Sequence, residues 1–387
     1  MTIVLKPWVL ACASKTVAGI SRRGNFAFTL SSPLSRGPRA AELAAIFLTA
    51  FLLVVPQPVH AQTPADDLLR RVVDEVIVPG YGNLVTVAEA QQTQWQAFCP
   101  APSPAGLTSL RDAYRRTADA WSSIELVHYG PIAEDFRGER LSFWPERKNA
   151  VEKALKAALA KADDASLAPD AFRKGSAGVQ GLPALERLLF SEGANEADFT
   201  GGPEAEFRCR LGSAIATNIL AIAREVQAGW AGGDNAIAQR LTAPEVASGL
   251  KAALATDLLG AYVLLKDKKL DPAMGKDSAD TRPRMAEGWR SGRSLRAIQL
   301  NLQATGAILK ILADGMPQKD STALRNNDTA LRVAKRLSGD LGTLAAGPQR
   351  RDLILLRDAA DAAGKRAFEE VPLVLGVTVG FNSLDGD

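Results

Sequence analysis

The chain has 387 residues and a formal net charge of +3, a length that allows about two domains with ample hydrophobic cores. Residues 1–61 carry six of the basic residues and one of the acidic residues, so the remaining chain has a formal charge of −2. This nearly neutral remainder gives no reason to expect nucleic-acid binding.

The N-terminal segment 1–61 predicts a secretory signal peptide with a long basic region. An uncharged apolar run follows at 44–55, and the small-residue pattern Val59-His60-Ala61 ends the segment. The run is shorter than the roughly 20 residues of a membrane-spanning helix, and an uncleaved anchor is the alternative. No cysteine of a lipoprotein signal follows it. We therefore expect cleavage near Ala61 and a periplasmic protein, either soluble or peripheral to the outer membrane.

The first half of the remaining chain has the composition of helices. Alternating strand patterns are rare, whereas Ala, Leu, Arg, Glu and Lys dominate long segments, which predicts an all-α fold. Pro79 and Gly80 are expected to kink or break the first amphipathic segment. Further helices are predicted at 105–127, from Pro145 to about 162, at 181–191, and from Pro203 to about 230.

A glycine-rich stretch at 231–234 is the predicted boundary between two domains, 62–232 and 233–387. Beyond it, helices are predicted at 243–266, 283–314, 321–343 and 349–369. The polar segment 267–282 is predicted to be an exposed loop. About four main helices on each side of the boundary indicate two packed four-helix bundles.

Two cysteines, Cys99 and Cys209, lie beyond the predicted leader. An even pair in an exported protein predicts one disulfide. Two independent buried thiols are the alternative.

Trp121, Glu125 and His128 have the spacing of one helical face, and His128 is the only histidine beyond the predicted leader. An indole, a carboxylate and an imidazole form a plausible wall of a ligand site. The alternative is structural: the indole belongs to the core, the carboxylate pairs with an arginine, and the histidine ends the helix.

One segment carries a recognisable motif. Residues 180–190 read Gln-Gly-Leu-Pro-Ala-Leu-Glu-Arg-Leu-Leu-Phe, which resembles the G-x-H-x-x-E motif of imelysin-like proteins. Gly181 and Glu186 match it, but Pro183 stands where the family has its histidine. Proline offers no side-chain lone pair, so the paired His and Glu ligands of the family are not both present. The alternative is a helix start that packs through its leucines.

Three further blocks strengthen the resemblance. Residues 289–296 look like the Trp-Arg-Ser-Gly-Arg-Ser run of the periplasmic imelysin subgroup, residues 143–149 look like its Phe-Trp-Pro-acid run, and residues 380–387 look like its C-terminal signature. The resemblance implies two helical bundles with a cleft between them, an envelope location and a link to iron uptake.

Candidate ligands come from these blocks and from the face formed by Trp121, Glu125 and His128. Glu125, His128 and Glu186 supply the mixed nitrogen and oxygen atoms that iron or another divalent metal ion accepts. Arg290, Arg293 and Arg296 follow at steps of three and form a helical stripe suited to carboxylates. Internal salt bridges to acids such as Glu125 or Glu186 are the alternative for these arginines. The expected ligand-binding set is Trp121, Glu125, His128, Arg147, Glu186, Arg290 and Arg293.

Three functions are consistent with these features of the sequence. The first is a non-catalytic periplasmic protein that binds a small ligand or iron, with an envelope iron-transport component as its partner. The second is a metallopeptidase of the imelysin type, which needs a metal-bound water and three protein ligands. The third is a structural or partner-binding envelope module. Pro183 and the shortage of histidines favour binding over catalysis.

Overall fold

The computed structural model describes residues 63–378, and within that range the chain forms helices and turns without any strand. This confirms the all-α prediction. The predicted leader at 1–61 and the C-terminal block at 380–387 lie outside the described residues.

The first group of helices starts with a long rod made of two α-helices joined by a π-helical turn at Val73–Ile77. The rod does not end at Pro79. Proline lacks the amide hydrogen that a helical residue normally donates. The wider π turn lies just before Pro79, so the proline falls in the first turn of α2 and the helix continues beyond it. The helices are α1 (Pro64–Val72), α2 (Val78–Phe98), α3 (Pro104–Ser122), α4 (Arg137–Leu141), α5 (Ala150–Lys161), α6 (Pro169–Arg173), α7 (Leu182–Phe190) and α8 (Pro203–Ala231).

The second group begins after the glycine turn at 232–233 and a short 3₁₀ turn at Ile237–Arg240. Its helices are α9 (Pro244–Val263), α10 (Asp271–Met274), α11 (Ser294–Ala313), α12 (Thr322–Arg336), α13 (Leu341–Ala346) and α14 (Arg350–Leu375). A π-helical turn, Leu264–Leu270, joins α9 to α10. The predicted exposed loop at 267–282 is therefore partly wrong, because Lys269 and Leu270 are buried.

Helices within each group pack against one another. In the first group α2 packs on both α3 and α8, and in the second α14 packs on α9 and α12 while α11 packs on α12. Helix α3 also contacts α11, and α1 packs against α9, α11 and α14 of the second group, so the two groups meet along α1 and α3. The domain boundary at residue 232 stays a prediction.

The predicted disulfide is confirmed. Cys99, at the end of α2, is bonded to Cys209 in α8 across 110 residues of sequence. The bond therefore joins two helices of the first group that also pack side by side.

Several predicted boundaries are wrong for local reasons. Pro145 does not begin a helix; α5 begins five residues later, where Glu146 Oε2 accepts the backbone N–H of Val151 at 2.7 Å. Helix α11 begins at Ser294 rather than at 283, because Gly288 and Gly292 both adopt positive φ. The predicted helix 321–343 is divided in two, with Gly339 at a φ of 110° between the parts.

Candidate functional site

Three of the four sequence blocks meet around one cleft. The cleft has a volume of about 330 Å³ and lies between the end of α3, the segment before α5, the start of α7 and the turn before α11. Its lining includes Trp121, Phe143, Trp144, Pro183, Glu186, Arg187, Glu287, Trp289, Arg290 and Arg293. Residues that are distant in sequence therefore form a single aromatic and charged surface.

Glu186 is fixed at the cleft by the start of α7. A Cβ atom at Gly181 would lie 2.2 Å from the carbonyl oxygen of Leu141, so only glycine allows this close approach. One turn later, Glu186 Oε1 accepts hydrogen bonds from the backbone N–H of Ser291 at 3.0 Å and from its hydroxyl at 2.7 Å. Burial raises the pKa of the Glu186 carboxyl, although the Ser291 hydrogen bonds oppose this.

Arg187 is a site residue that the sequence did not identify. Its side chain is only 4 % exposed; it pairs with Glu146 and lies 3.5 Å from Glu152. Its guanidinium also donates to the carbonyl oxygen of Pro183 at 3.1 Å. Arg187 therefore ties the segment before α5 to α7, and its charge is compensated by these acids.

Arg290 differs from its neighbours because its charge is not compensated in this way. The guanidinium lies over the indole of Trp289, 4.3 Å from the ring centroid. Within residues 63–378, no carboxylate lies within 4.0 Å of it. Burial and the nearby charge of Arg187 lower the pKa of Arg290, and the more distant charges of Glu186, Glu152 and Glu146 oppose this shift without reversing it. An arginine in this position can bind an anionic group that enters the cleft.

Arg293 has an internal partner. It forms an ion pair with Asp119 of α3, and Arg296 lies 3.3 Å from the same carboxylate. Burial lowers the pKa of Arg293 to about 10. The predicted helical stripe of three arginines is wrong, because Arg290 and Arg293 precede α11 in a turn. The salt-bridge alternative describes Arg293, but the acid is Asp119 and not Glu125 or Glu186.

Glu125 belongs to a buried charge cluster below the cleft. Its carboxylate pairs with Lys269 of the π-helical turn, and the same ammonium nitrogen lies 2.7 Å from Glu287 Oε2. The Lys269 ammonium also lies 5.7 Å from the ring centroid of Trp144. Two carboxylates thus share one ammonium group, so the cluster has an excess negative charge when both are ionised.

This excess charge has a consequence for protonation. Burial raises the pKa of Glu287 from 4.5 to about 7, with the charge of Glu125 acting in the same direction and Lys269 opposing it. Both carboxylates raise the pKa of Lys269 against the effect of burial. Glu287 therefore exchanges its proton near neutral pH.

A second cavity adjoins the cleft. It has a volume of about 280 Å³ and shares Trp121, Trp144 and Glu287 with the first. Glu125 and His128 also line it. The structure therefore brings Trp121, Glu125 and His128 to one surface, although not on one helix, since α3 ends at Ser122 and a turn follows.

Comparison with known proteins places the chain in a family. The imelysin family model matches residues 77–370, most of the chain. The chain belongs to the imelysin family. An imelysin-like protein from Psychrobacter arcticum has a similar fold, with a TM-score of 0.64, 18% identity, and coverage of 82% of this chain and 97% of that one.

Two other proteins are also similar to the chain. An iron-regulated protein A precursor from Parabacteroides distasonis has a TM-score of 0.61 and 17% identity, with 82% of this chain and 97% of that one covered. Iron-regulated protein A of Synechococcus elongatus is 29% identical over 120 residues. This match covers 31% of the present chain and 30% of that relative, so the chain matches less than a third of the relative's length.

The residues of this imelysin-family chain do not fit a metal ion held by the protein alone. Among residues 63–378, no group of three or more His, Cys, Asp or Glu side chains is arranged to hold a metal ion. The expected set of Glu125, His128 and Glu186 is not gathered at one point, because Glu186 lines the cleft whereas Glu125 and His128 line the second cavity. Lys269 pairs with Glu125, and Ser291 donates to Glu186.

The two remaining predicted site residues, His128 and Arg147, do not line the cleft. His128 is exposed, and its backbone N–H donates to Asp257, whose carboxylate is 3.9 Å from the imidazole Nδ1. Burial raises the pKa of Asp257 to about 6. Arg147 is exposed and does not line the cleft. The structure thus supports a cleft built around Glu186, Arg290 and the indoles, with Arg187, Lys269 and Glu287 as additions that sequence reasoning missed.

Proposed function

We propose that this imelysin-family protein is a non-catalytic binding protein of the cell envelope whose cleft takes a small anionic ligand that carries iron. The observation that supports this proposal is Arg290. Its guanidinium lines the cleft, lies on the indole of Trp289, and lacks a carboxylate within 4.0 Å among residues 63–378. A planar cation on an aromatic platform suits the carboxylates of an organic chelator.

The link to iron and to export comes from relatives and from the predicted leader. Two similar proteins bear the name iron-regulated protein A, and one of them is described as a precursor. We infer that this chain is exported through the leader at 1–61 and acts in the periplasm. An envelope iron-transport component is the proposed recipient of the loaded ligand.

The side chains of the cleft support a chelated metal rather than a bare ion. Pro183 provides no ligand atom, and the carboxylates of Glu125 and Glu186 already have protein partners. The ligand would therefore supply the coordination of its own metal ion, while the protein contributes charge and stacking surfaces. The same features argue against a peptidase, which needs an open metal position held by three protein ligands.

Ferric citrate is a suitable probe because it combines iron with several carboxylates. Binding to the leaderless protein would be followed by calorimetry and by the fluorescence of the cleft tryptophans. We expect saturable binding, and we expect Arg290→Gln to weaken it about tenfold or more, the scale of a lost hydrogen bond to a charged group. Arg332→Gln, at an exposed position on α12 outside the cleft lining, is the matched control and should bind as the wild type does.

Two results would contradict the proposal. One is equal affinity for ferric citrate in the wild type and in Arg290→Gln, or no binding in either. The other is chelator-sensitive cleavage of unfolded casein by the wild-type protein, which would establish a peptidase.

A further inference from the structure

A second candidate binding site lies on the first group of helices, away from the cleft. Arg140 of α4 is only 6 % exposed. Its Nε donates to the side-chain oxygen of Gln180 at 2.8 Å, and its Nη2 donates to that of Asn218 at 3.0 Å. The remaining nitrogen, Nη1, is buried and has no hydrogen-bond partner among residues 63–378.

The neighbours hold this guanidinium in place without neutralising it. Both acceptors are neutral amides, and within residues 63–378 no carboxylate lies within 4.0 Å of Arg140. Burial lowers the pKa of Arg140 and the charge of Arg173 acts in the same direction, while the more distant charges of Glu225 and Asp135 oppose them without reversing the shift. A buried charge without a partner of opposite sign is costly, so an anion beside Arg140 would be stabilised.

A large cavity lies beside the Arg140 side chain. It has a volume of about 700 Å³, includes Arg140 in its wall, and shares no lining residue with the two cavities of the cleft. Part of its wall is apolar and comes from Leu167, Phe172 and Ala214. The cavity therefore offers a cationic end and an apolar side.

The acidic residues of this cavity are already paired or lie at its edge. Asp164 accepts from Arg210 at 2.9 Å. Glu225 accepts from Arg137 at 2.8 Å and from Arg173 at 3.2 Å. Asp170 is exposed. None of them compensates Arg140 directly.

We propose that this cavity binds a small organic carboxylate. The ligand carboxylate pairs with the Arg140 guanidinium, which turns Nη1 out of its buried position to donate to one carboxylate oxygen. The apolar body of the ligand packs against Leu167, Phe172 and Ala214. The proposal is independent of the function proposed for the cleft.

Benzoate and its neutral analogue benzamide test the proposal by calorimetry on the leaderless protein. We expect benzoate to bind with a Kd below about 1 mM and benzamide to bind at least about tenfold more weakly, because it lacks the charge that Arg140 requires. Arg140→Gln should weaken benzoate binding by a similar factor. Equal binding of the two compounds, or no binding of benzoate, would overturn the proposal.

A second variant keeps the test decisive, because Arg140→Gln also disturbs two buried hydrogen bonds. Ala221 is exposed on α8 and lines the cavity, so Ala221→Trp should fill the space and abolish benzoate binding while Arg140 stays intact. Ala228→Trp, exposed on the same helix outside the cavity lining, should bind normally. If Arg290→Gln weakens benzoate binding and Ala221→Trp does not, benzoate binds in the cleft and the proposal is wrong.

Discussion

Replacing Glu287 by glutamine perturbs the buried charge cluster below the cleft. In the wild type, two carboxylates share the ammonium group of Lys269, and Glu287 is the one whose pKa is raised to about 7. Glu287→Gln removes the excess negative charge and leaves Glu125 and Lys269 as a balanced pair. The variant should therefore gain stability relative to the wild type as the pH rises.

The size of this effect follows from proton linkage. Because the pKa of Glu287 in the folded protein lies above its ordinary value of 4.5, the folded state binds this proton more tightly than the unfolded state does. The resulting stabilisation is complete below about pH 4.5 and is lost as the pH rises through about 7. The difference between the ordinary pKa of 4.5 and the pKa of about 7 in the folded protein corresponds to about 3 kcal/mol of unfolding free energy.

Urea unfolding of both proteins at several pH values measures this difference. We expect the unfolding free energy of Glu287→Gln minus that of the wild type to rise by about 3 kcal/mol between pH about 4.5 and pH about 8. Glu139→Gln, at an exposed position that lines the second cavity, is the control and should show no such rise. A difference in unfolding free energy that does not change with pH, or that falls, would show that Glu287 does not hold an extra proton in the folded protein.

Three further variants test other parts of the structure by urea unfolding. Lys269→Met leaves two buried carboxylates without a counter-charge and should cost about 3–5 kcal/mol at pH about 8, and less in acid. Gly181→Ala places a Cβ atom 2.2 Å from the Leu141 carbonyl oxygen and should cost about 1–3 kcal/mol; an unchanged midpoint would contradict this close approach. Removing the disulfide by Cys99→Ala with Cys209→Ala should cost about 2–5 kcal/mol, and reduced wild-type protein should show the same loss.

The sequence predicted the helical fold and much of the cleft. Helix-forming composition is a local property of each segment, and it predicts a helix even where the predicted ends of that helix are wrong. The all-α prediction therefore did not depend on knowing how the helices pack. The blocks around Trp144, Glu186 and Arg290 were each visible as short patterns, and the structure brings them together. The disulfide followed from the cysteine count in a chain expected to be exported.

The features of the site that the sequence did not predict depend on contacts between segments that are distant in the chain. Nothing local marks Lys269 as the partner of Glu125, since the two are 144 residues apart and Lys269 lies in a run of polar residues. The backbone at Gly292 adopts a φ of 67°, which ends the predicted arginine stripe before α11. Likewise, the choice of Asp119 as the partner of Arg293 is set by the packing of α3 on α11.

We propose that the cleft holds a chelated metal through Arg290 and the indole of Trp289, with the chelator and not the protein coordinating the metal ion. Crystals of the leaderless protein grown with ferric citrate, measured on both sides of the iron absorption edge, test it directly. We expect one anomalous iron peak in the cleft, with citrate oxygens around the metal and a citrate carboxylate on Arg290. An iron peak ligated by protein carboxylates, or a cleft free of iron at saturating ferric citrate, would contradict it.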